Sequence, residues 1–147
     1  WGRPDMALFK FTRAILEGQA IEVYNHGEML RDFTYIDDLV TGIVRLIGVV
    51  PGAGPAVPGD SLSPVAPWRV VNIGNGAPVR LADFITAIEA ALGQRADKVL
   101  LPIQPGDVPA TWADAALIRA LAGDLPQTDI ARGVRRFVAW YRDYYQV

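Results

Sequence analysis

Apolar residues recur along this chain in alternating helical and strand periods. Leu8, Phe11 and Ile15 stand at helical spacing with Gly18 as a stop, which predicts a first helix. Ile21-Glu22-Val23-Tyr24 alternates as a short strand, and Asn25-His26-Gly27 makes a turn. Arg31 to Ile36 is then expected to return as that strand's hairpin partner. Asp37 or Asp38 is expected to cap a helix whose apolar positions are Val40, Ile43, Val44 and Ile47. From Gly48 to Pro67, five prolines and four glycines break both periods, and the segment is expected to be a long surface loop inside one domain.

Beyond the loop, Arg69 to Ile73 reads as an apolar strand ended by Gly74-Asn75-Gly76. Leu81, Phe84, Ile85, Ile88 and Leu92 form one face of an amphipathic helix that Gly93 closes. Val99 to Ile103 is a further strand, stopped by Pro102 and Pro105, and an Ala-rich helix follows over about Ala113 to Ala122. Thr128 is expected to cap a last helix with Ile130, Val134, Phe137, Val138, Tyr141 and Tyr145 in one stripe. The chain thus reads as one mixed α/β domain over residues 1–147, a small sheet with helices.

Composition narrows the classes. A chain of 147 residues with 51% hydrophobic and 20% charged content is globular rather than disordered. Its longest apolar run, Ile43 to Val50, is broken by Arg45 and Gly48, so no membrane segment is expected. The absence of cysteine removes disulfides, thiolate nucleophiles and zinc–thiolate sites, and fits a cytoplasmic protein. A net charge of −2 offers no electrostatic footprint for nucleic acid. Arg132, Arg135, Arg136 and Arg142 share a segment with the last apolar stripe and are expected to form a solvated helix face.

Catalytic machinery is harder to find than binding chemistry. A dinucleotide site needs a glycine-rich turn between strand and helix. Gly52-Ala53-Gly54 and Gly74-Asn75-Gly76 start that spacing, but Val57 and Val79 occupy the third glycine position, so the Rossmann glycine motif is lacking. No Tyr has a Lys four residues later, and the lone His26 lies in a turn, so no catalytic residue is assigned. Ser61 and Ser63 sit in the Pro-rich loop without a base, and nothing clusters as metal ligands. Arg31 offers a fork of donors suited to phosphate oxygens, but it could equally pair on the surface with Asp32 or Glu28. Asp107, after Pro105-Gly106, is at a position where Asp commonly bonds local backbone.

Four blocks carry more than their residue types. They are Trp1-Gly2-Arg3-Pro4-Asp5-Met6-Ala7, Arg31-Asp32-Phe33-Thr34-Tyr35-Ile36-Asp37-Asp38, Asn72-Ile73-Gly74-Asn75 and Gln104-Pro105-Gly106-Asp107. In that order they resemble the C-terminal, substrate-binding half of NAD-dependent nucleotide-sugar epimerases of the extended short-chain dehydrogenase/reductase family, the UDP-glucuronate 4-epimerases above all. The opening block reads as the inside of a domain, so a cofactor-binding half is expected ahead of it. The resemblance implies that Arg31 contacts a phosphate of a UDP-sugar and that Asp107 bonds the ribose. The strand at Ile21 to Tyr24, which brings in Glu22 and Tyr24, would present its backbone to uracil. Met6 and Ala7 would close over the nucleotide, and Arg3 would lie near the hexuronate. Gln104 stands where UDP-glucose 4-epimerases carry an Arg, which removes a second phosphate-binding cation. For a complete enzyme the resemblance implies NAD held mainly by the other half, a homodimer, and inversion at C4 of UDP-glucuronate through a 4-keto sugar. Alternatives of the same architecture are a decarboxylase or a dehydratase; one of another class is a stand-alone nucleotide-sugar-binding module.

Overall fold

The structure, a computed structural model, describes residues 4–54 and 57–147; Arg3 lies outside the described residues. The elements are helices α1 (Ala7–Leu16), α2 (Ile36–Ile47), α3 (Leu81–Leu92), α4 (Ala116–Ala122) and α5 (Ile130–Tyr145). The strands are β1 (Ile21–Val23), β2 (Leu30–Arg31), β3 (Val79–Arg80), β4 (Lys98–Leu100) and β5 (Ala110–Thr111). They fall into two compact units.

The first unit holds the residues up to Arg31 together with Val79–Thr111 and Asp129–Val147. α3 is its centre, packed against α5 and α1. The stripe foreseen from the sequence is what it buries: Phe84, Ile85, Ile88 and Leu92 are each at most 5% exposed. Gly93 adopts φ +70°, the left-handed cap conformation that glycine takes without a Cβ clash. α5 buries Val134, Val138 and Tyr141 on the face turned to this core. On α1 the buried positions are Phe9, Thr12 and Ile15, so the inward face is rotated from the Leu8–Phe11–Ile15 series.

Strand pairing departs from the hairpin expected of Ile21–Tyr24 and Arg31–Ile36. β1 lies parallel to β4, with Ile21 opposite Lys98 and Val23 opposite Leu100. β2 is the middle of a second sheet, antiparallel to β3 and parallel to β5, with Arg31 opposite Val79 and Thr111. Between β1 and β2 the chain makes a 3-10 turn over Tyr24–Gly27, in which Asn25 and His26 have φ of 47° and 49°. That turn is not a tight two-residue reversal, so the two strands leave it toward different partners.

The second unit holds Asp32–Pro78 and Trp112–Thr128. Its helices are α2 and α4, which pack on one another. Gly42 makes that approach possible: a Cβ there would meet Leu125 Cδ1 at 3.0 Å, Ile73 Cγ2 at 3.2 Å and Ile118 Cδ1 at 3.3 Å. Neither Asp37 nor Asp38 caps α2; Tyr35 is the N-cap residue and both aspartates lie in the first turn. The Asp38 carboxylate is instead buried, accepting from the Thr128 N–H at 2.7 Å and the Thr128 hydroxyl at 3.1 Å. Thr128 is therefore occupied there, and Asp129 caps α5 by accepting from the Arg132 N–H at 2.8 Å.

Residues 69–73 do not form the expected strand. A strand needs a ladder partner, and none of the strands in the described residues belongs to this unit. Val70 instead closes a local ring with Ser61, whose hydroxyl accepts from the Val70 N–H at 3.0 Å and donates to its carbonyl at 2.5 Å. The segment before it, Gly48 to Pro67, carries no regular element among its described residues.

Candidate nucleotide-binding site

The described site residues all belong to the first unit, and the segment Lys98–Thr111 organises them. β4 runs beside β1, and the pairing continues past it as the Leu101 N–H donates to the Val23 carbonyl at 3.0 Å and the His26 N–H to the Leu101 carbonyl at 3.1 Å. After Pro102 the chain turns at Gln104–Asp107, closed by the Asp107 N–H on the Gln104 carbonyl at 3.1 Å. Gly106 has φ +91° in this turn, a conformation that strains any residue with a Cβ. The chain then enters β5 beside β2, and the Leu30 N–H donates to the Pro109 carbonyl at 2.8 Å. One segment thus carries Gln104 and Asp107 from the strand of Glu22 to the strand of Arg31.

Glu22 and Tyr24 point to solvent from β1 and its end, since Ile21 and Val23 take the buried positions. The Tyr24 hydroxyl donates to Glu22 Oε2 at 2.7 Å. That bond and partial desolvation, with the charges of Glu22 and Asp107 behind them, push the Tyr24 phenol above its usual value. No donor among the described residues reaches the Asp107 carboxylate, so it is not consumed by the local backbone as isolated turn logic suggested. Glu22 and Tyr24 form a small polar cluster at the end of β1, with the charge of Asp107 acting on its phenol. β1 pairs only with β4 among the described residues, so its second backbone edge is unpaired.

Arg31 is half-buried in the central strand of the three-stranded sheet. Its Nη1 donates to the Leu30 carbonyl at 2.8 Å and its Nη2 lies 3.9 Å from Met29 Sδ. Among the described residues it makes no ion pair with either carboxylate of the surface-pair reading. Glu28 pairs with Arg80, and Asp32 Oδ2 accepts from the Gly76 N–H at 3.0 Å and the Ala113 N–H at 3.1 Å. Among the described residues the guanidinium's hydrogen bonds are these two, both to neighbours within two positions along the chain. Met6 is the N-cap residue of α1 and 51% exposed, with Ala7 opening the helix; no hydrogen bond joins either to the acidic cluster.

Two further carboxylates were missed in the sequence. Glu89 lies on the core stripe of α3, 4% exposed, where it binds Lys98 Nζ at 2.8 Å, the Ala96 N–H at 2.9 Å and Arg95 Nη1 at 3.4 Å. It ties the start of β4 to the central helix. A glutamate within an otherwise apolar stripe was the available signal. Asp32 is the other: Oδ2 fastens Gly76 and Ala113, while Oδ1 is buried without a partner. The basic cluster on α5 divides as well. Arg132, Arg135 and Arg136 are exposed, but Arg142 is partly buried and its Nη2 donates to the Leu92 carbonyl at 2.9 Å.

A dinucleotide has no cradle among the described residues. The glycine turn at Gly74–Gly76 is closed against its own unit: a Cβ on Gly74 would lie 2.4 Å from Ala113 Cβ, and the Gly76 N–H is taken by Asp32. No helix follows Gly52 or Gly76 directly, so neither turn offers backbone N–H groups at a helix start. No group of three or more metal-ligating side chains occurs among the described residues, and no helix there is long and apolar enough to cross a membrane.

Known proteins resemble the chain in sequence and in fold. Residues 2–55 match the NAD dependent epimerase/dehydratase family. The "Probable UDP-glucuronate 4-epimerase" of Rhizobium meliloti is 51% identical over 150 residues, covering 99% of this chain and 44% of the relative. UDP-glucuronate 4-epimerase 4 of Arabidopsis thaliana is 41% identical over 152 residues, covering 99% of this chain and 34% of the relative. The crystal structure of UDP-glucuronic acid 4-epimerase from Bacillus cereus with NAD superposes with a TM-score of 0.75 at 26% identity, over 99% of this chain and 40% of that one. The chain spans less than half the length of these relatives. By sequence and by fold, the chain is UDP-glucuronate-4-epimerase-like: it resembles the C-terminal part of extended short-chain dehydrogenase/reductase epimerases, and its residues 2–55 carry the match to the NAD dependent epimerase/dehydratase family.

Proposed function

We propose that this chain is the UDP-sugar-binding part of an NAD-dependent UDP-glucuronate 4-epimerase, and that it is inactive without the rest of the polypeptide. The observation that carries the reading is the 51% identity to the Rhizobium meliloti protein across 99% of the chain. The geometry supports it. Arg31 brings a fork of donors from a strand, suited to a pyrophosphate. Asp107 offers ribose hydroxyls a carboxylate that no donor among the described residues reaches, and the edge of β1 that is unpaired among those residues offers backbone groups to a uracil. Gln104 and Glu22 complete the proposed substrate-binding set, with Met6 and Ala7 at the start of α1 and Arg3 reserved for the hexuronate carboxylate.

Such a division of labour suits an epimerisation in which the sugar must turn over while the nucleotide stays fixed. Strong anchors at the diphosphate and ribose, with few contacts at the hexose, permit that rotation. In this reading NAD is held mainly by the remainder of the enzyme, which also supplies the catalytic Tyr and Lys and the homodimer contact, and the hydride chemistry takes place there. The test is to express the complete gene product, supply UDP-glucuronate with NAD, and analyse products by NMR. UDP-galacturonate supports the proposal. A 4-keto-pentose or a dehydrated sugar would move the protein to the decarboxylase or dehydratase reading, and no turnover beside intact UDP binding to the binding-module reading.

A further inference from the structure

The segment that carries Gln104 and Asp107 is held by very few side chains. None of residues 97–111 is buried, and β4 exposes all three of its side chains, with Val99 at 45% and Leu100 at 56%. A strand fixed by packing turns alternate side chains into a core. β4 has instead its backbone ladder to β1, three residues long and extended by the Ile21 N–H on the Asp97 carbonyl at 2.8 Å. A two-stranded ladder with no packed face is marginal by itself.

Glu89 supplies the missing anchor. It lies on the core stripe of α3, and one oxygen, Oε1, takes both the Ala96 N–H at 2.9 Å and Lys98 Nζ at 2.8 Å. Those contacts bracket the entry to β4, one on backbone and one on side chain. Arg95, 87% exposed and 3.4 Å from Oε2, adds only a screened charge. Among the described residues, no other side chain of residues 98–111 makes a hydrogen bond or an ion pair.

We infer that Glu89 and Lys98 are positioning residues for the nucleotide site: their ion pair fixes β4 to the central helix and, through β4, the turn over residues 104–107 that presents Asp107. The path is short. From Lys98 the chain runs through Leu101, whose N–H and carbonyl bond Val23 and His26, to the turn closed by the Asp107 N–H. A charge-assisted hydrogen bond keeps its strength only over a narrow range of distance and angle. A turn that drifts therefore loses its ribose bond without loss of the fold. The inference rests on the reading that Asp107 meets a nucleotide ribose.

Two measurements on the complete gene product test it. The first is hydrogen exchange by mass spectrometry, without ligand. In Lys98→Met, and separately in Glu89→Gln, peptides covering residues 98–107 should exchange roughly 10-fold faster than in the parent while peptides of α2 keep their rates. Lys98→Arg, which retains the charge, should restore the parent pattern. Unchanged exchange over residues 98–107, or an equal acceleration in α2, would overturn the inference. The second is UDP affinity by calorimetry, at a temperature where every variant is folded. Lys98→Met should raise Kd roughly 5- to 10-fold, and Lys98→Arg should recover most of that. On an Asp107→Ala background the same Lys98→Met change should move Kd less than about 2-fold, because the contact it works through is already gone. Where Asp107→Ala itself weakens UDP, an equal rise on both backgrounds, or no rise at all, would overturn the inference. If Asp107→Ala leaves UDP affinity at the parent value, the ribose reading fails, and the exchange rates decide whether the pair positions the turn.

Discussion

Replacing Glu89 by Gln should weaken the fold that presents the site, with a pH signature of its own. The carboxylate is 4% exposed, while its partners Lys98 and Arg95 are 35% and 87% exposed. The glutamine keeps the size and the acceptor for the Ala96 N–H but loses the charge. A hydrogen bond to a charged group contributes ~1.5–3 kcal/mol; solvent screening at Lys98 and Arg95 reduces this to roughly 1–2 kcal/mol. For a chain of this size that is a fall in Tm of roughly 3–6 °C at pH 7. Lys98→Met should cost at least as much, because it leaves the buried carboxylate with only the Ala96 N–H and a distant, solvated Arg95. Burial by itself raises the Glu89 pKa; the Lys98 bond, the Ala96 N–H and the charges of Lys98 and Arg95 outweigh it and hold the group below its ordinary 4.5. Its stabilisation is therefore complete above pH 4.5 and disappears as pH falls through the lower folded value. Thermal unfolding by circular dichroism across pH 2 to 8 reads the effect. A Glu89→Gln protein with unchanged Tm at pH 7, or a deficit that persists after full protonation, would refute the argument.

The remaining predictions concern the site and the second unit. Glu22→Gln should lower the Tyr24 pKa toward 10.0, seen as an earlier phenolate in an ultraviolet titration and absent in Tyr24→Phe; no movement would dissolve the cluster. Gly42→Ala should be close to neutral, since ~1 kcal/mol of helix propensity offsets a methyl contact at 3.0 Å, whereas Gly42→Leu should cost ~1–3 kcal/mol in chemical denaturation. Arg3→Ala in the complete protein should weaken UDP-glucuronate roughly 10-fold or more while leaving UDP nearly unchanged, by calorimetry; equal losses would make Arg3 a scaffold residue.

What was legible in the sequence is what periodicity encodes. α3 was readable to the residue, with Gly93 as its cap, because its stripe and its stop are local signals. Strand pairing was not: alternation marks β1 as a strand but carries no information that Val23 meets Leu100 rather than the chain returning from its own turn. Asp38 resembled a cap by type and position, and only the fold brings Thr128 to it. Periodicity marks the apolar stripe of α2 but not which side of the helix turns inward: Asp38 and Gly42 are its buried positions. For the site, Arg31 and Asp107 were ambiguous as residue types. In the structure Glu28 pairs with Arg80, Asp32 accepts from the Gly76 and Ala113 N–H groups, and the Tyr24 hydroxyl bonds Glu22.

The most direct test of the account is UDP affinity in Arg31→Ala, measured by calorimetry on the complete gene product. Loss of a charge-assisted contact to the diphosphate should cost ~2–3 kcal/mol, about a 30- to 150-fold rise in Kd for UDP and a similar rise for UDP-glucuronate. Arg31→Lys should recover only part of it, because an ammonium lacks the planar fork. A folded Arg31→Ala protein that binds UDP as tightly as the parent would contradict the account.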